Sequence, residues 1–182
     1  MRKVVVSTMV SLNAVKDNPQ LFTFDYAKEE FLKYASDQLF AADILIMGRV
    51  TYEGFAEAWS ARAGVDAFAD RMNSLPKFVA SRTLTGELKW NATLIKGDVA
   101  QEIAKLKQQS GGDILQYGTG ELTYTLLKAG LIDELRLLVY PVLMGSGGHL
   151  FEGIDRTALK LLETRAFSTG VIVQHYQPLA TA

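Results

Sequence analysis

The sequence predicts an α/β protein: a mixed, mostly parallel sheet with helices on both faces and an antiparallel C-terminal edge. Three observations carry this. Apolar β-branched runs alternate with segments of helical period through the first three quarters of the chain. Ile44-Leu45-Ile46-Met47 is apolar without alternation, as in a strand covered on both faces. Two strand-like runs then follow one another near the C-terminus with no helix between them.

In chain order, Lys3 to Thr8 reads as the first strand. Ser11 to Thr23 carries Asn, Asp and Pro and reads as a loop, long enough to suggest a functional role. Asp25 to Phe40 reads as a helix, with Ala27, Phe31, Ala35 and Leu39 as its buried stripe. The strand at Ile44 ends in Gly48-Arg49-Val50-Thr51, and a short helix through Phe55 and Trp59 follows. Asp66 to Ser74 is helical, Lys77 to Ser81 a strand, and Thr93 to Lys96 another. Asp98, with Gln101 three residues on, marks an N-cap for the helix of Val99, Ile103 and Leu106, which Gly111-Gly112 stops. Asp113 to Tyr117 is a strand, Gly118-Thr119-Gly120 breaks it, and a helix runs to Gly130 with Leu122, Leu126 and Ala129 inward. Asp133 to Tyr140 is a strand with Leu135, Leu137 and Val139 on one face. Lys160 to Ala166 and Val171 to Tyr176 close the chain as an antiparallel pair.

Composition narrows the function. The 182 residues suit one domain over 1–182, and 48% hydrophobic with 21% charged is an ordinary globular profile. A net charge of −1 gives no footprint for nucleic acid or an anionic membrane. There is no cysteine for a disulfide or thiolate, and two histidines far apart argue against a metal site. MRKVVVSTMV turns polar too soon for a signal peptide, and no apolar run spans a bilayer, so a cytoplasmic location is expected. Motifs for a phosphate loop, a serine-hydrolase elbow and a zinc protease are absent.

Ligands of open α/β sheets bind beyond the carboxyl ends of the strands. Gly48, Ser81 and Gly118 each stand at such an end. Gly118-Thr119-Gly120 opens a helix, so it reads either as a pyrophosphate seat or as a tight turn without ligand. Arg49 can fork onto a phosphate that Thr51 also meets; alternatively they are a surface arginine and a capping threonine. Ser81-Arg82 repeats the choice, and two arginines at one crevice would grip the ribose phosphate that distinguishes NADPH from NADH. Gly145-Ser146-Gly147-Gly148-His149 reads as a flexible loop able to close over a ligand. His149 is either a proton donor or merely packed, and His175, on a strand face with Val171 and Val173, reads as structural.

The residues MGRVTYE, VASRTL and DILQYGTGELTYTLLKAGLIDELRLLVYPVLMGSGGHLF resemble a known family. They are similar to the dihydrofolate-reductase-like proteins related to the C-terminal reductase domain of the riboflavin-pathway bifunctional deaminase-reductase. The resemblance implies a three-layer α/β/α fold, NADPH as cofactor, a small heterocyclic substrate and a homodimer. It implies that Gly48, Arg49 and Thr51 meet the cofactor phosphates and that Ser81 and Arg82 lie near the adenosine ribose phosphate. Gly118, Thr119, Gly120, Glu121 and Leu122 would wrap the pyrophosphate. The family often shows ser-leu-asp-gly after its first strand, where this chain has Ser11-Leu12-Asn13-Ala14. Asn13 can bind a substrate but cannot act as a base. Asp25, Glu29 and Glu30 lie where dihydrofolate reductases carry an acid, and no motif selects one, so the catalytic acid stays unassigned. Two functions follow as expectations: an NADPH-dependent reductase of a pteridine or ribosylaminopyrimidine, or a binding module that keeps the fold without turnover. A cofactor-free structural protein is a third.

Overall fold

The computed structural model describes residues 1–179. Eight strands form one sheet in the order β4-β3-β2-β5-β1-β6-β8-β7. They are β1 (Val4–Ser11), β2 (Ala42–Gly48), β3 (Lys77–Ala80), β4 (Ala92–Leu94), β5 (Asp113–Tyr117), β6 (Glu134–Tyr140), β7 (Leu159–Ala166) and β8 (Ile172–Pro178). The first six pair in parallel, while β8 runs antiparallel to both β6 and β7. The helices are α1 (Gln20–Thr23), α2 (Glu29–Ala41), α3 (Arg49–Ser60), α4 (Ala67–Ser74), α5 (Val99–Gln108) and α6 (Glu121–Lys128). Among the described residues, no helix is long and apolar enough to cross a membrane.

The sheet is covered on both faces, which is why its central strands read as unbroken apolar runs. On one face Val4, Val6, Ile44, Ile46, Ile114 and Leu135 pack with Ile103 of α5 and with Leu122 and Leu126 of α6. On the other, Val5, Leu45, Met47, Val79 and Leu115 pack with Leu39 of α2, Tyr52 of α3 and Met72 of α4. The Asp98 cap is present, its carboxylate accepting from Gln101 N at 2.8 Å. Asp66 caps α4 likewise through Ala69 N at 2.8 Å.

Two expectations change. The region predicted as a loop holds α1 at its end, a 3₁₀ turn, Phe24–Tyr26, takes the predicted start of the next helix, and that helix starts only at Glu29. Leu39 is buried as predicted and Phe31 and Ala35 are half-buried, but the other fully buried residues of α2 are Tyr34 and Gln38, so the helix is turned partly off the predicted Ala27–Phe31–Ala35–Leu39 stripe. The sheet beneath explains the rotation. The β6 face under α2 carries Glu134 and Arg136, and its β8 neighbour carries His175, none of which apolar residues could satisfy. Tyr34 Oη lies 2.9 Å from His175 Nε2, and His175 Nδ1 lies 3.1 Å from Glu134 Oε1. Arg136 donates to Glu134 at 2.7 Å and to Gln38 at 3.4 Å. The His175 hydrogen bond, followed by the Arg136 guanidinium, holds the Glu134 carboxyl down at about 2, while burial pushes the Tyr34 phenol up to about 12. His175 is therefore engaged in the sheet, as its strand face implied.

Candidate functional site

The carboxyl ends of β1, β2, β3 and β5 open into a cleft of about 960 Å³. Gly48, Arg49, Thr51, Ser81, Arg82, Gly118, Thr119, Gly120, Glu121 and Leu122 all line it. Three breaks far apart in sequence are thus neighbours in space. Two helix starts, those of α3 and α6, open into this cleft; both have glycine at the N-cap, and at α6 only the Gly120 N–H is taken, by Thr123 Oγ1 at 3.3 Å. The N–H groups and positive dipole ends of two helices therefore converge on one space.

The turn before α6 is built from a few specific contacts. Gly118 has φ +74°, a conformation that favours glycine, and its N–H donates to Ser7 O at 2.8 Å. A Cβ on Gly118 would stand 3.9 Å from the Thr51 hydroxyl, so the first turn of α3 faces the Gly118 turn. Gln116 braces the turn, donating to Gly118 O at 3.0 Å and to Thr123 Oγ1 at 2.6 Å. Gly120 is different. Its φ of 176° is extended backbone, and a Cβ there would meet nothing within 4 Å. Gly48, with φ −79°, is equally unconstrained. Their missing side chains leave cleft volume open. Gln116 Oε1 and Thr119 Oγ1 are buried without a hydrogen-bond partner, both on residues that line the cleft. The Thr119 hydroxyl, which can donate, and the two helix starts fit an anionic group of phosphate kind, whereas Gln116 Oε1 can only accept.

The arginines sit at the rim. Arg82 holds Glu121 at 2.9 Å with both side chains largely exposed, and Arg49 holds Glu53 at 2.9 Å. Exposed pairs of this sort are weak and exchange readily for a stronger anion. Ser81 Oγ accepts from Thr83 N at 3.1 Å and Leu84 N at 3.0 Å, so its hydroxyl also shapes the turn after β3.

The remaining wall comes from the loop after β1, where Lys16, Asp17, Asn18, Pro19 and Gln20 line the cleft. The glycine loop after β6 is tied to this segment rather than hanging free. Val15 and His149 form an antiparallel bridge, Lys16 N donates to Gly148 O at 3.0 Å, and Gly148 N donates to Asp17 Oδ2 at 2.8 Å. That Gly148 hydrogen bond, then Lys16, lowers the Asp17 carboxyl below its ordinary range. A Cβ on Gly147 would stand 2.5 Å from Val15 Cγ1, so the contact needs glycine. The expected lid is therefore a buttress for the 16–20 segment, and His149 is not among the residues that line the cleft.

Asn13 also lies outside the cleft lining. Its amide grips Met144, donating to the carbonyl at 2.8 Å and accepting from the N–H at 3.0 Å, and it accepts from Ser11 Oγ at 2.8 Å. A carboxylate could not make the donating half of that pair, which gives the amide a structural reason. None of Asp25, Glu29 and Glu30 lines the cleft, and Glu30 instead accepts from Ser168 N at 2.7 Å. Ser7, Thr8 and Met9 of β1, Gly54 and Phe55 of α3, and Tyr117 line it without having been read from the sequence. The one signal for Tyr117 was its place directly before the glycine turn.

Comparison with known proteins agrees with this geometry. Residues 2–173 match the family model of the RibD C-terminal domain. The chain is 41% identical over 108 residues to the uncharacterised protein YyaP of Bacillus subtilis (strain 168), covering 58% of this chain and 57% of YyaP. It thus spans little more than half of that relative in the match. Among solved structures, a protein ascribed to riboflavin biosynthesis from Shewanella sp. PV-4 superposes with a TM-score of 0.73 at 21% identity, covering 98% of this chain and 99% of that one. The diaminohydroxyphosphoribosylaminopyrimidine deaminase/5-amino-6-(5-phosphoribosylamino)uracil reductase of Thermotoga maritima superposes with a TM-score of 0.64 at 11% identity, covering 98% of this chain and 57% of that one. At these identities the likeness carries the fold: a dihydrofolate-reductase-like α/β/α sandwich on a mostly parallel sheet with an antiparallel edge.

Proposed function

Because the chain belongs to the RibD C-terminal domain family, a family of riboflavin-pathway reductase type, we propose that it is an NADPH-dependent reductase of a small heterocycle. The substrate would be of pteridine or 5-amino-6-(5-phosphoribosylamino)uracil kind. The observation that carries this reading is the convergence of two helix starts, each with a glycine and no side chain at its N-cap, and two rim arginines on one cleft. Gly48, Thr51 and Gly118 to Leu122 would hold the pyrophosphate through backbone N–H groups and hydroxyls. Arg49 and Arg82, with Ser81, would meet the ribose phosphate. When bound, the nicotinamide supplies hydride; the protein's part is to orient the reactants and exclude water. NADPH titration, followed by NADPH oxidation with a panel of pterins and ribosylaminopyrimidines, tests the proposal. Failure to bind NADPH would end it.

One observation favours the second reading, a nucleotide-binding module without turnover. The carboxylates that line the cleft are Asp17 and Glu121, and both are already engaged, by Gly148 and Lys16 and by Arg82. Among the described residues, no cleft carboxyl stands buried and unpaired as a proton donor, so turnover would draw its proton from water. Tight NADPH binding with no oxidation across the panel would select the module. The reading extends to a homodimer, which the exposed Leu159, Leu161 and Leu162 of β7 favour. Sedimentation velocity decides that point.

A further inference from the structure

Gly54 occupies the interior of α3, where glycine is the poorest helix former after proline. The structure offers no internal reason for it. Its φ is not left-handed, and a Cβ there would meet nothing within 4 Å. It does line the cleft, one turn along α3 from Thr51 and adjacent to Phe55. The Phe55 ring meets the Tyr117 ring at a centroid distance of 5.7 Å and 46° between planes. Tyr117 also lines the cleft, although its hydroxyl is buried without a hydrogen-bond partner. The phenol oxygen is thus buried while part of the residue remains accessible to the cleft.

The cleft therefore has two sides. The Gly118–Gly120 turn belongs to α6, which packs on one face of the sheet; Phe55 and Tyr117 belong to the cluster under α3 on the other. A dinucleotide with its pyrophosphate between the starts of α3 and α6 would fill the first side and the rim and leave the α3 face beyond Thr51 open. The second side offers an aromatic corner beside a helix face stripped of its side chain.

We propose that Gly54 sets the substrate specificity of the cleft: its bare helix face, beside the Phe55–Tyr117 corner, admits the planar ring of the heterocycle. This rests on the reductase reading, and the test separates the two. Gly54→Ala and Gly54→Leu are compared with wild type by fluorescence titration with three probes: NADPH, 7,8-dihydrofolate and 5-amino-6-(5-phosphoribosylamino)uracil. Gly54→Ala melts at or above the wild-type temperature, because alanine is the better helix residue. NADPH affinity stays within about twofold for both variants, whereas affinity for the heterocycle that wild type takes falls several-fold with alanine and roughly tenfold or more with leucine, the scale of added methylenes in a fitted pocket. Unchanged heterocycle affinity in both variants overturns the proposal. So does a parallel loss of NADPH affinity, which would make the bare face a cofactor seat. A wild type that binds NADPH but neither heterocycle overturns this inference alone; one that binds none of the three overturns the reductase reading as well.

Discussion

Replacing Gly120 by alanine separates binding from stability. The backbone at Gly120 is extended, with φ 176° and ψ −154°, so alanine adopts it without strain. No atom lies within 4 Å of the added methyl, so nothing in the fold must move. The remaining structural effect is that of alanine for glycine at a helix N-cap, about 1 kcal/mol or less. The methyl would instead occupy space above the first turn of α6, where the pyrophosphate is proposed to sit. Displacing one charge-assisted hydrogen bond from a backbone N–H removes roughly 1.5–3 kcal/mol, or about 10- to 150-fold in Kd. Gly118→Ala is the control. At φ +74° it forces a left-handed alanine costing about 1–2 kcal/mol, and its effect appears first in the thermal melt. NADPH fluorescence titration and melting curves on both variants give the comparison. A Gly120→Ala protein that binds NADPH as wild type does would refute a phosphate seat at this helix start.

Three further outcomes are expected. Arg49→Ala with Arg82→Ala lowers the preference for NADPH over NADH; both guanidiniums are solvent-exposed and already paired, so the loss lies nearer about 1.5 kcal/mol, roughly tenfold, and an unchanged ratio of dissociation constants removes both from the site. Glu134, held at about 2 against an ordinary 4.5, contributes stability that is full above pH 4.5 and is lost as pH falls toward 2, on the order of 3 kcal/mol in all. Urea melts across that window show the slope, and Glu134→Gln flattens it; a slope that survives the substitution assigns it elsewhere. Ala14 has φ 63°, so Ala14→Gly relieves about 1–2 kcal/mol of left-handed strain against about 0.5–1 kcal/mol of added chain entropy. The net is a small rise in the urea midpoint, and a fall would show that the turn needs the methyl.

What could be read from the chain, and what could not, divides by range. Strand and helix identities followed from local period, and the strand ends at Gly48, Ser81 and Gly118 located the cleft, because a parallel sheet sends all such ends the same way. Leu39 of the predicted α2 stripe is buried, but local period does not reveal Tyr34 and Gln38, because they answer to His175 and Arg136, about a hundred residues or more away. The glycine loop reads as free to close because its partner, the Val15–Asp17 segment, is equally distant in sequence. Glycines show the limit most plainly. Four have neither a left-handed φ nor any atom within 4 Å of a would-be Cβ: Gly48, Gly54, Gly120 and Gly145. The first three line one cleft. In sequence, Gly54 is indistinguishable from a weak spot in a helix, and Gly120 from half of a turn. Only a fold that puts them around one space shows that the property they share is room, which the protein itself leaves unfilled.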